Sequence, residues 1–262
     1  MMNNDYPHGT FCWIDLATSD LSTAKEFYSK LFGWRAVEEE SPNGIYCMFF
    51  LNEKDVCACY EMPQEMTIQG VPSHWNSYVA VADLTASTER VSELGGTVLQ
   101  GDIEVGEPGR MAIVQDPDGA TFMLWQGKNH PGAGIVNEPG SFCWNELSTH
   151  DLDGSEKFYT QLFGWTANRG AGAMGQVYVE FKNGDRSNGG MLEIQPDWGD
   201  MPSSWGVYFC VADINAAVQK VAELGGKVEM PPTAIENIGT FALVVDAVGA
   251  YFCLIEMGDM VE

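Results

Sequence analysis

An internal repeat covers most of this chain and constrains its fold more than any other feature. The segment SDLSTAKEFYSKLFGW at 19–34 recurs as HDLDGSEKFYTQLFGW at 150–165, an offset of 131. The segment VADLTASTERVSELGG at 81–96 recurs as VADINAAVQKVAELGG at 211–226, an offset of 130. Because the offset is nearly constant, the chain is a tandem duplication of one domain, and both copies are expected to share one fold.

Each copy divides again into two similar units. Asp20 precedes a run of apolar residues at helical spacing that ends at Gly33, and Asp83 begins a second helix. Short strands rich in branched and aromatic residues precede and follow each helix. The pattern predicts an α+β fold with two βαβββ units per copy, joined into one eight-stranded mixed sheet.

The join between the copies has the composition of a linker. The stretch GKNHPGAGIVNEPG at 127–140 is rich in glycine, proline and asparagine, which favour loops. We therefore predict a first domain at 8–127, a linker at 128–140 and a second domain at 141–258.

The charge balance excludes several classes of function. There are 13 basic and 37 acidic residues, a net charge of −24, which opposes binding to nucleic acid or to anionic lipid. No stretch approaches eighteen apolar residues, so no membrane span is predicted. The start, MMNNDYPHGTF, lacks the features of a secretory signal, and most of the seven cysteines lie in apolar runs. These features predict a cytoplasmic protein with reduced thiols.

The motifs of the repeat resemble those of one superfamily. They are D-L-x(5)-F-Y-x(2)-L-F-G-W after the first strand, V-A-D-[LI] before a helix that ends in E-L-G-G, and a D-P-D-G turn at 116–119. Their order resembles that of the vicinal oxygen chelate superfamily, which contains glyoxalases, bleomycin resistance proteins and extradiol dioxygenases. The W-x-[DE]-L of each first strand is similar to a glyoxalase-like antigen subgroup of actinobacteria.

This resemblance implies a specific site. In the superfamily, eight strands curve into a cup, and four of them supply His, Gln or Glu side chains to a divalent metal. Carried over by position, three of the four ligand sites hold residues that do not suit a metal: Trp13 and Trp144, Ser77 and Val207, Met123 and Cys253. Only the fourth strands keep a plausible ligand, at Glu61 and Glu193. We therefore predict neither a metal nor another cofactor.

The four histidines agree with this prediction. None of them occupies a ligand position or recurs in the other copy, so a structural or solvated role is expected for each: His8, His74, His130 and His150.

Without a metal, the cup is predicted to be an aromatic pocket. Asp15 and Glu146 lie two residues beyond the tryptophans of the first strands and are the candidate acid–base residues. Stacking and cation–π attraction in such a pocket would suit a flat or cationic small molecule. The candidate ligand-binding residues are Trp13, Glu61, Trp75, Ser77, Met123, Trp125, Trp144, Glu193 and Trp205.

Each of these candidates also has an ordinary structural interpretation. A tryptophan on a strand can belong to the core, Asp15 and Glu146 can cap a helix or pair with an arginine, and an edge strand commonly carries glutamates.

Three functions remain open at this stage. The first is metal-independent binding of a small aromatic or cationic molecule. The second is an enzyme of glyoxalase type, a lyase or isomerase, which depends on a metal or uses Asp15 or Glu146 as acid and base. The third is a scaffold whose acidic surface meets a protein partner. A monomer and a homodimer are both compatible with two domains in one chain.

Overall fold

The computed structural model describes residues 6–41, 44–173 and 175–258. Two mixed eight-stranded sheets form, one from each copy of the repeat. The elements of the first domain are β1 (Phe11–Thr18), α1 (Leu21–Phe32), β2 (Arg35–Ser41), β3 (Gly44–Leu51), β4 (Lys54–Glu61), α2 (Gln64–Ile68), β5 (His74–Ala80), α3 (Leu84–Glu93), β6 (Thr97–Glu104), β7 (Gly109–Gln115) and β8 (Thr121–Gly127).

The second domain repeats this order. Its elements are β9 (Phe142–Thr149), α4 (Leu152–Phe163), β10 (Thr166–Ala171), β11 (Val177–Asn183), β12 (Arg186–Glu193), β13 (Ser204–Cys210), α5 (Ile214–Glu223), β14 (Lys227–Ile235), β15 (Gly239–Val245) and β16 (Tyr251–Met257). A single 3-10 turn, Pro196–Trp198, takes the place of α2. The sequence did not predict α2 or this turn.

The strand order joins the two units of each domain at its centre. In the first sheet the order is β2-β3-β4-β1-β5-β8-β7-β6, and the second sheet has the equivalent order. Strands β1 and β4 are parallel, as are β5 and β8, whereas the central pair β1 and β5 is antiparallel. The predicted α+β fold with paired βαβββ units is confirmed.

Helix α1 begins and ends where its sequence indicates. The Asp20 side chain accepts a hydrogen bond from the backbone N–H of Thr23, which satisfies one free amide of the first turn. At the other end Gly33 adopts a left-handed conformation with φ of 74°, which a glycine adopts without strain. Asp151 and Gly164 serve the same purposes on α4.

The two largest hydrophobic cores are each shared between the domains, and a third, smaller cluster around Tyr208 lies within the second domain. In one core, Phe27 and Tyr28 of α1 pack against Phe252 of the second domain, and Phe32 packs against Phe209. The other core is the equivalent one, in which residues of α4 pack against Phe122 and its neighbours in the first domain. The helices therefore lie on the sides of the sheets that face the other domain, and each sheet keeps one face away from this interface.

A buried chain of hydrogen bonds crosses each shared core. Trp75 donates from Nε1 to the Tyr28 hydroxyl over 3.0 Å, and Tyr28 donates to Asp246 of the other domain over 2.8 Å. The equivalent chain runs from Trp205 to Tyr159 over 2.8 Å and then to Asp116 over 3.0 Å. Asp116 lies in the turn before β8, and Asp246 lies in the turn before β16. Each turn is therefore hydrogen-bonded to a helix of the opposite domain.

The described residues contain no helix that is long and apolar enough to cross a membrane.

Candidate functional site

The face of each sheet that points away from the helices is the candidate site, and we call it the cup of that domain. In the first cup, Trp13 lies opposite Tyr78 across the β1–β5 pair, and Asp15 lies opposite Asn76. Met123 of β8 lies beside Tyr78. Residues that face each other across a ladder share one face of the sheet, so these five side chains belong to the same cup.

Asp15 is the centre of the first cup. It is 1% exposed and accepts three hydrogen bonds: from the Tyr78 hydroxyl over 2.6 Å, from the Tyr46 hydroxyl over 3.0 Å and from Nδ2 of Asn76 over 3.0 Å. Trp13 in turn donates from Nε1 to the Tyr46 oxygen over 3.1 Å. A carboxylate offers about four lone-pair directions, so roughly one remains free.

Burial governs the acidity of this group. Removal from water raises the pKa of Asp15, and its donors Tyr78, Asn76 and Tyr46 oppose that rise. The same burial, together with the charge of Asp15, raises the pKa of Tyr78 and Tyr46 far above the usual value, so both hydroxyls keep their protons.

The second cup has the same constellation. Glu146 accepts a hydrogen bond from the Tyr208 hydroxyl over 2.6 Å and another from Tyr178. Trp144 donates from Nε1 to the Tyr178 oxygen over 2.8 Å, as Trp13 does to Tyr46 in the first cup. Burial raises the pKa of Glu146, and the two tyrosine hydroxyls oppose that rise.

The second cup differs from the first in its accessibility. Gly206 lies opposite Glu146, where the first cup has Asn76, so Glu146 lacks the third donor. A side chain at Gly206 would meet only a backbone oxygen, at 3.7 Å. Glu146 and Trp144 are both partly exposed, whereas Asp15 and Trp13 are buried. The second cup is therefore the more accessible one.

The interdomain linker closes one end of the first cup. The His130 ring packs edge-on against Trp13, with ring centres 4.6 Å apart, and lies 6.2 Å from Trp125. Its Nδ1 is 3.3 Å from Oδ2 of Asp55, and the other carboxylate oxygen, Oδ1, accepts a hydrogen bond from the backbone N–H of Gly134 over 2.9 Å.

The structure brings part of the predicted site together. The first cup contains Trp13, Asp15, Met123 and Trp125, and the second contains Trp144 and Glu146. The other candidates lie on the helix side of the sheets: Glu61, Trp75, Ser77, Glu193 and Trp205.

These other candidates have interdomain or surface contacts. Trp75 and Trp205 belong to the buried chains between the domains, and Ser77 donates to Asn145 of the second domain over 2.7 Å. Glu61 and Glu193 are exposed at the ends of β4 and β12.

The sequence analysis missed the tyrosines that hold the two carboxylates. Tyr46 and Tyr178 occupy equivalent positions of the repeat, as do Tyr78 and Tyr208. Alignment of the two copies could have revealed them, because each pair shares its residue type while most of the neighbouring strand residues differ. Asn76 carries no such signal, since its counterpart is a glycine.

The donor set does not fit the divalent metal of the superfamily. Asp15 is the one carboxylate of the first cup among the residues identified above, and three of its lone-pair directions are occupied. Across the described part of the chain, no group of three or more His, Cys, Asp or Glu side chains is placed to hold a metal ion. First-row metals in this superfamily need several such ligands.

Comparison with known proteins settles the family. The model of the Glyoxalase/Bleomycin resistance protein/Dioxygenase superfamily matches residues 10–124 and again residues 141–254. The chain belongs to this superfamily. Each match spans one of the two sheets, in agreement with the tandem repeat.

Relatives cover nearly the whole chain. A protein of Mycobacterium tuberculosis named "Putative glyoxylase CFP32" is 40% identical over 255 residues, 97% of each chain. The "Anthracycline biosynthesis protein DnrV" of Streptomyces peucetius is 33% identical over 260 residues, 95% of this chain and 94% of that protein.

Solved structures share the fold at much lower identity. The Mn(II)-bound glyoxalase from Novosphingobium aromaticivorans has a TM-score of 0.68 at 14% identity, covering 97% of this chain and 83% of its own. The 2,3-dioxygenase LapB from Pseudomonas sp. KL28 has the same TM-score and identity, covering 96% and 94%.

Proposed function

We propose that this protein binds a small aromatic cation in its cups without a metal. One observation carries the proposal: each cup holds a carboxylate between two tyrosine hydroxyls and beside a tryptophan. Within the described residues, neither Asp15 nor Glu146 forms an ion pair, and the one basic side chain that attracts the charge of Asp15 is His74, which does not contact the carboxylate directly. A ligand that carries a positive charge would supply the missing partner.

The physical chemistry of the cups favours a ligand of this class. A cation over a tryptophan or tyrosine ring gains about 0.5–2 kcal/mol, and more as water is excluded. An ammonium N–H would also donate to the lone pairs that Glu146 has left, because only two tyrosine hydroxyls occupy that carboxylate. The second cup is thus the more accessible site and the one with more acceptor capacity.

The relatives' names agree with a small-molecule role. One relative is named a putative glyoxylase and another an anthracycline biosynthesis protein. A flat aromatic occupant would suit the tryptophan of each cup.

Isothermal titration calorimetry with a matched pair of probes tests this proposal. Phenethylamine is cationic at pH 7.5, whereas 2-phenylethanol has the same ring and chain length without the charge. We expect saturable binding of phenethylamine and at least tenfold weaker binding of 2-phenylethanol. Glu146→Gln should weaken the amine about tenfold at the second cup, and Glu193→Gln on the helix side is the matched control. Equal affinity for the two probes, or no binding of either, would contradict the proposal.

Catalysis of glyoxalase type is the second candidate. Its supporting observation is that burial raises the pKa of both Glu146 and Asp15, which suits a general acid or base. The test is to follow conversion of the methylglyoxal–glutathione hemithioacetal into its thioester with EDTA-treated protein. Turnover that is lost in Glu146→Gln or Asp15→Asn would establish this activity, and absence of turnover would exclude it for this substrate.

A further inference from the structure

The first cup contains a buried polar atom that the proposed function has not used. Nε2 of His130 is buried and has no hydrogen-bond partner, and it is the one side-chain nitrogen or oxygen in this state within the described residues. A buried polar group without a partner is costly, so nearly all such groups in proteins are paired with protein, water or ligand. A ligand that formed a hydrogen bond with this nitrogen, at the end of a candidate binding site, would remove the cost of leaving it unpaired.

The surroundings of His130 determine which role this nitrogen can play. Its other ring nitrogen, Nδ1, is 3.3 Å from Oδ2 of Asp55. Burial raises the pKa of Asp55, but its hydrogen bonds with His130 and with the Gly134 backbone bring the pKa below its ordinary value, so Asp55 is a carboxylate. A carboxylate can only accept, so its position 3.3 Å from Nδ1 favours the tautomer that carries the imidazole proton on Nδ1. In the neutral ring, Nε2 is then an acceptor.

The fold holds this arrangement in place. The backbone carbonyl of His130 accepts a hydrogen bond from Nε1 of Trp125 over 2.9 Å, and Gly134 is bound twice to Asp55, through the carboxylate and the backbone oxygen. Ala133 is 0% exposed and donates to the carbonyl of Cys12. The linker is thus fixed across the ends of β8, β1 and β4, and the imidazole is oriented by packing and by hydrogen bonds.

The two cups differ in how much acceptor capacity their carboxylates retain. Asp15 already accepts from three donors, whereas Glu146 accepts from two tyrosines and faces Gly206. A ligand in the first cup therefore finds little capacity left on Asp15. The unpaired nitrogen of His130, which packs against Trp13 of the same cup, offers the alternative.

We propose that the Asp55–His130 pair is a ligand-binding dyad of the first cup, in which Nε2 accepts a hydrogen bond from an N–H group of an aromatic amine. This inference rests on the proposed function and deepens it, because it assigns the two cups different acceptors: His130 in the first and Glu146 in the second. His130 is a ligand-contacting residue in this scheme, and Asp55 is a positioning residue that sets the tautomer.

The ligand-free protein already gives one test of the dyad. Long-range ¹H–¹⁵N NMR spectra distinguish a protonated ring nitrogen from an unprotonated one, and the His130 signals are assigned by their loss in His130→Gln. We expect His130 at pH 8 to carry its proton on Nδ1, and Asp55→Asn to increase the share of the other tautomer. A proton on Nε2 of the wild-type protein would overturn the proposal, because the nitrogen would then donate to the Trp13 ring instead of accepting from a ligand.

Titration with phenethylamine tests the contact itself. In the Glu146→Gln background, we expect the Nε2 resonance of His130 to shift saturably, with a dissociation constant that calorimetry reproduces. Adding His130→Gln should weaken this binding about tenfold, the effect of losing one hydrogen bond. His150→Gln, at an exposed histidine outside both cups, is the matched control and should change nothing.

The outcomes separate this inference from the proposed function. Binding of phenethylamine that leaves the His130 resonances unmoved would overturn the dyad and leave the proposed function standing. An absence of binding in the wild-type protein would overturn both. If His130→Gln fails to fold, the His130 signals are assigned by elimination, from the signals lost in His8→Gln, His74→Gln and His150→Gln, and the titration in the Glu146→Gln background decides.

Discussion

At the scale of single residues, the two cups show how one constellation has diverged. Both keep a tryptophan, two tyrosines and a carboxylate, but Asn76 of the first cup is replaced by Gly206 in the second. The amide takes up one more lone pair of Asp15, whereas Glu146 is longer and has fewer donors. The first cup is enclosed and the second is partly open, and they differ in this residue beside the carboxylate and in the His130 ring that packs on Trp13.

The composition of the cups was only partly predictable from the sequence. Trp13 and Asp15 were placed correctly relative to each other, because residues two apart on a strand share a face. The position of Trp75 and Ser77 could not be derived in the same way. Strand β5 is buried on both faces along nearly its whole length, so no alternation of polar and apolar residues indicates which face is the cup.

Removing the hydroxyl of Tyr78 should destabilise the protein, because this group donates the shortest of the three hydrogen bonds to buried Asp15. For Tyr78→Phe we expect a loss of about 1.5–3 kcal/mol in the free energy of unfolding, the range for a hydrogen bond to a charged group. Urea denaturation at pH 7 measures it. Tyr60→Phe is the control: its hydroxyl is 3.2 Å from Asn76 and does not contact Asp15, so the loss should be smaller. Equal losses would show that Asp15 does not depend on Tyr78.

At the scale of secondary-structure elements, the sequence was most informative where residues within one helical turn determine the end of a helix. Asp20 and Gly33 bound α1 as predicted, because a side-chain cap and a left-handed glycine act within one turn of the helix. The short helix α2 was not predicted. It has five residues and no side-chain cap, so its sequence carries no comparable signal.

The second glycine of the E-L-G-G motif has a packing role that the sequence did not reveal. A Cβ atom at Gly96 would lie 2.6 Å from the backbone oxygen of Gln115 and 3.0 Å from the ring of Phe158 in the other domain. We expect Gly96→Ala to cost about 1–3 kcal/mol of stability through overpacking, measured by thermal or urea unfolding. Gly101→Ala is the control, since its Cβ would meet only Val98, at 3.4 Å. If Gly96→Ala left the stability unchanged, the neighbouring atoms of the shared core would have to move aside for the new Cβ atom at little cost in free energy.

The turn before β16 should make stability depend on pH. Burial raises the pKa of Asp246, which accepts hydrogen bonds from Tyr28 and from the backbone of Ala250. Between the unfolded pKa of about 4 and the raised folded pKa, the native state keeps a proton that the unfolded chain has lost. The contribution of Asp246 to the free energy of unfolding therefore falls as pH rises through this window and is constant above it.

Comparison of the wild-type protein with Asp246→Asn isolates this effect. Urea unfolding at intervals from about pH 2.5 to about pH 8 should show the wild-type protein losing stability relative to the variant as pH rises above the unfolded pKa of about 4. Asp20→Asn is a control of opposite sign, because hydrogen bonds from Thr23 lower the pKa of Asp20, and its stabilising contribution is lost as pH falls. Parallel pH profiles for the wild-type protein and Asp246→Asn would contradict the assignment.

At the scale of the whole molecule, the duplication has produced two large shared cores rather than two independent domains. Each core combines the first unit of one domain with the second unit of the other, as Phe27 with Phe252 and Phe158 with Phe122 illustrate. The repeat in the sequence predicted two domains, but nothing in it indicated that their cores are shared. A shared core depends on how the two folded domains pack together, and the pattern of apolar residues within one copy of the repeat does not show this packing.

This arrangement predicts that neither half of the chain is stable alone. A fragment of residues 1–136 would expose the helix side of its sheet, including Phe27, Tyr28 and Trp75, which lie at most 6% exposed in the intact chain. We expect it to aggregate or to lack cooperative unfolding, whereas coexpression with residues 137–262 should give a 1:1 complex that unfolds cooperatively. Light scattering after gel filtration and near-ultraviolet circular dichroism measure both. A monomeric first half with a sharp unfolding transition would show that one sheet and its own helices suffice, and that the interdomain hydrogen bonds of Tyr28 and Tyr159 add little to stability.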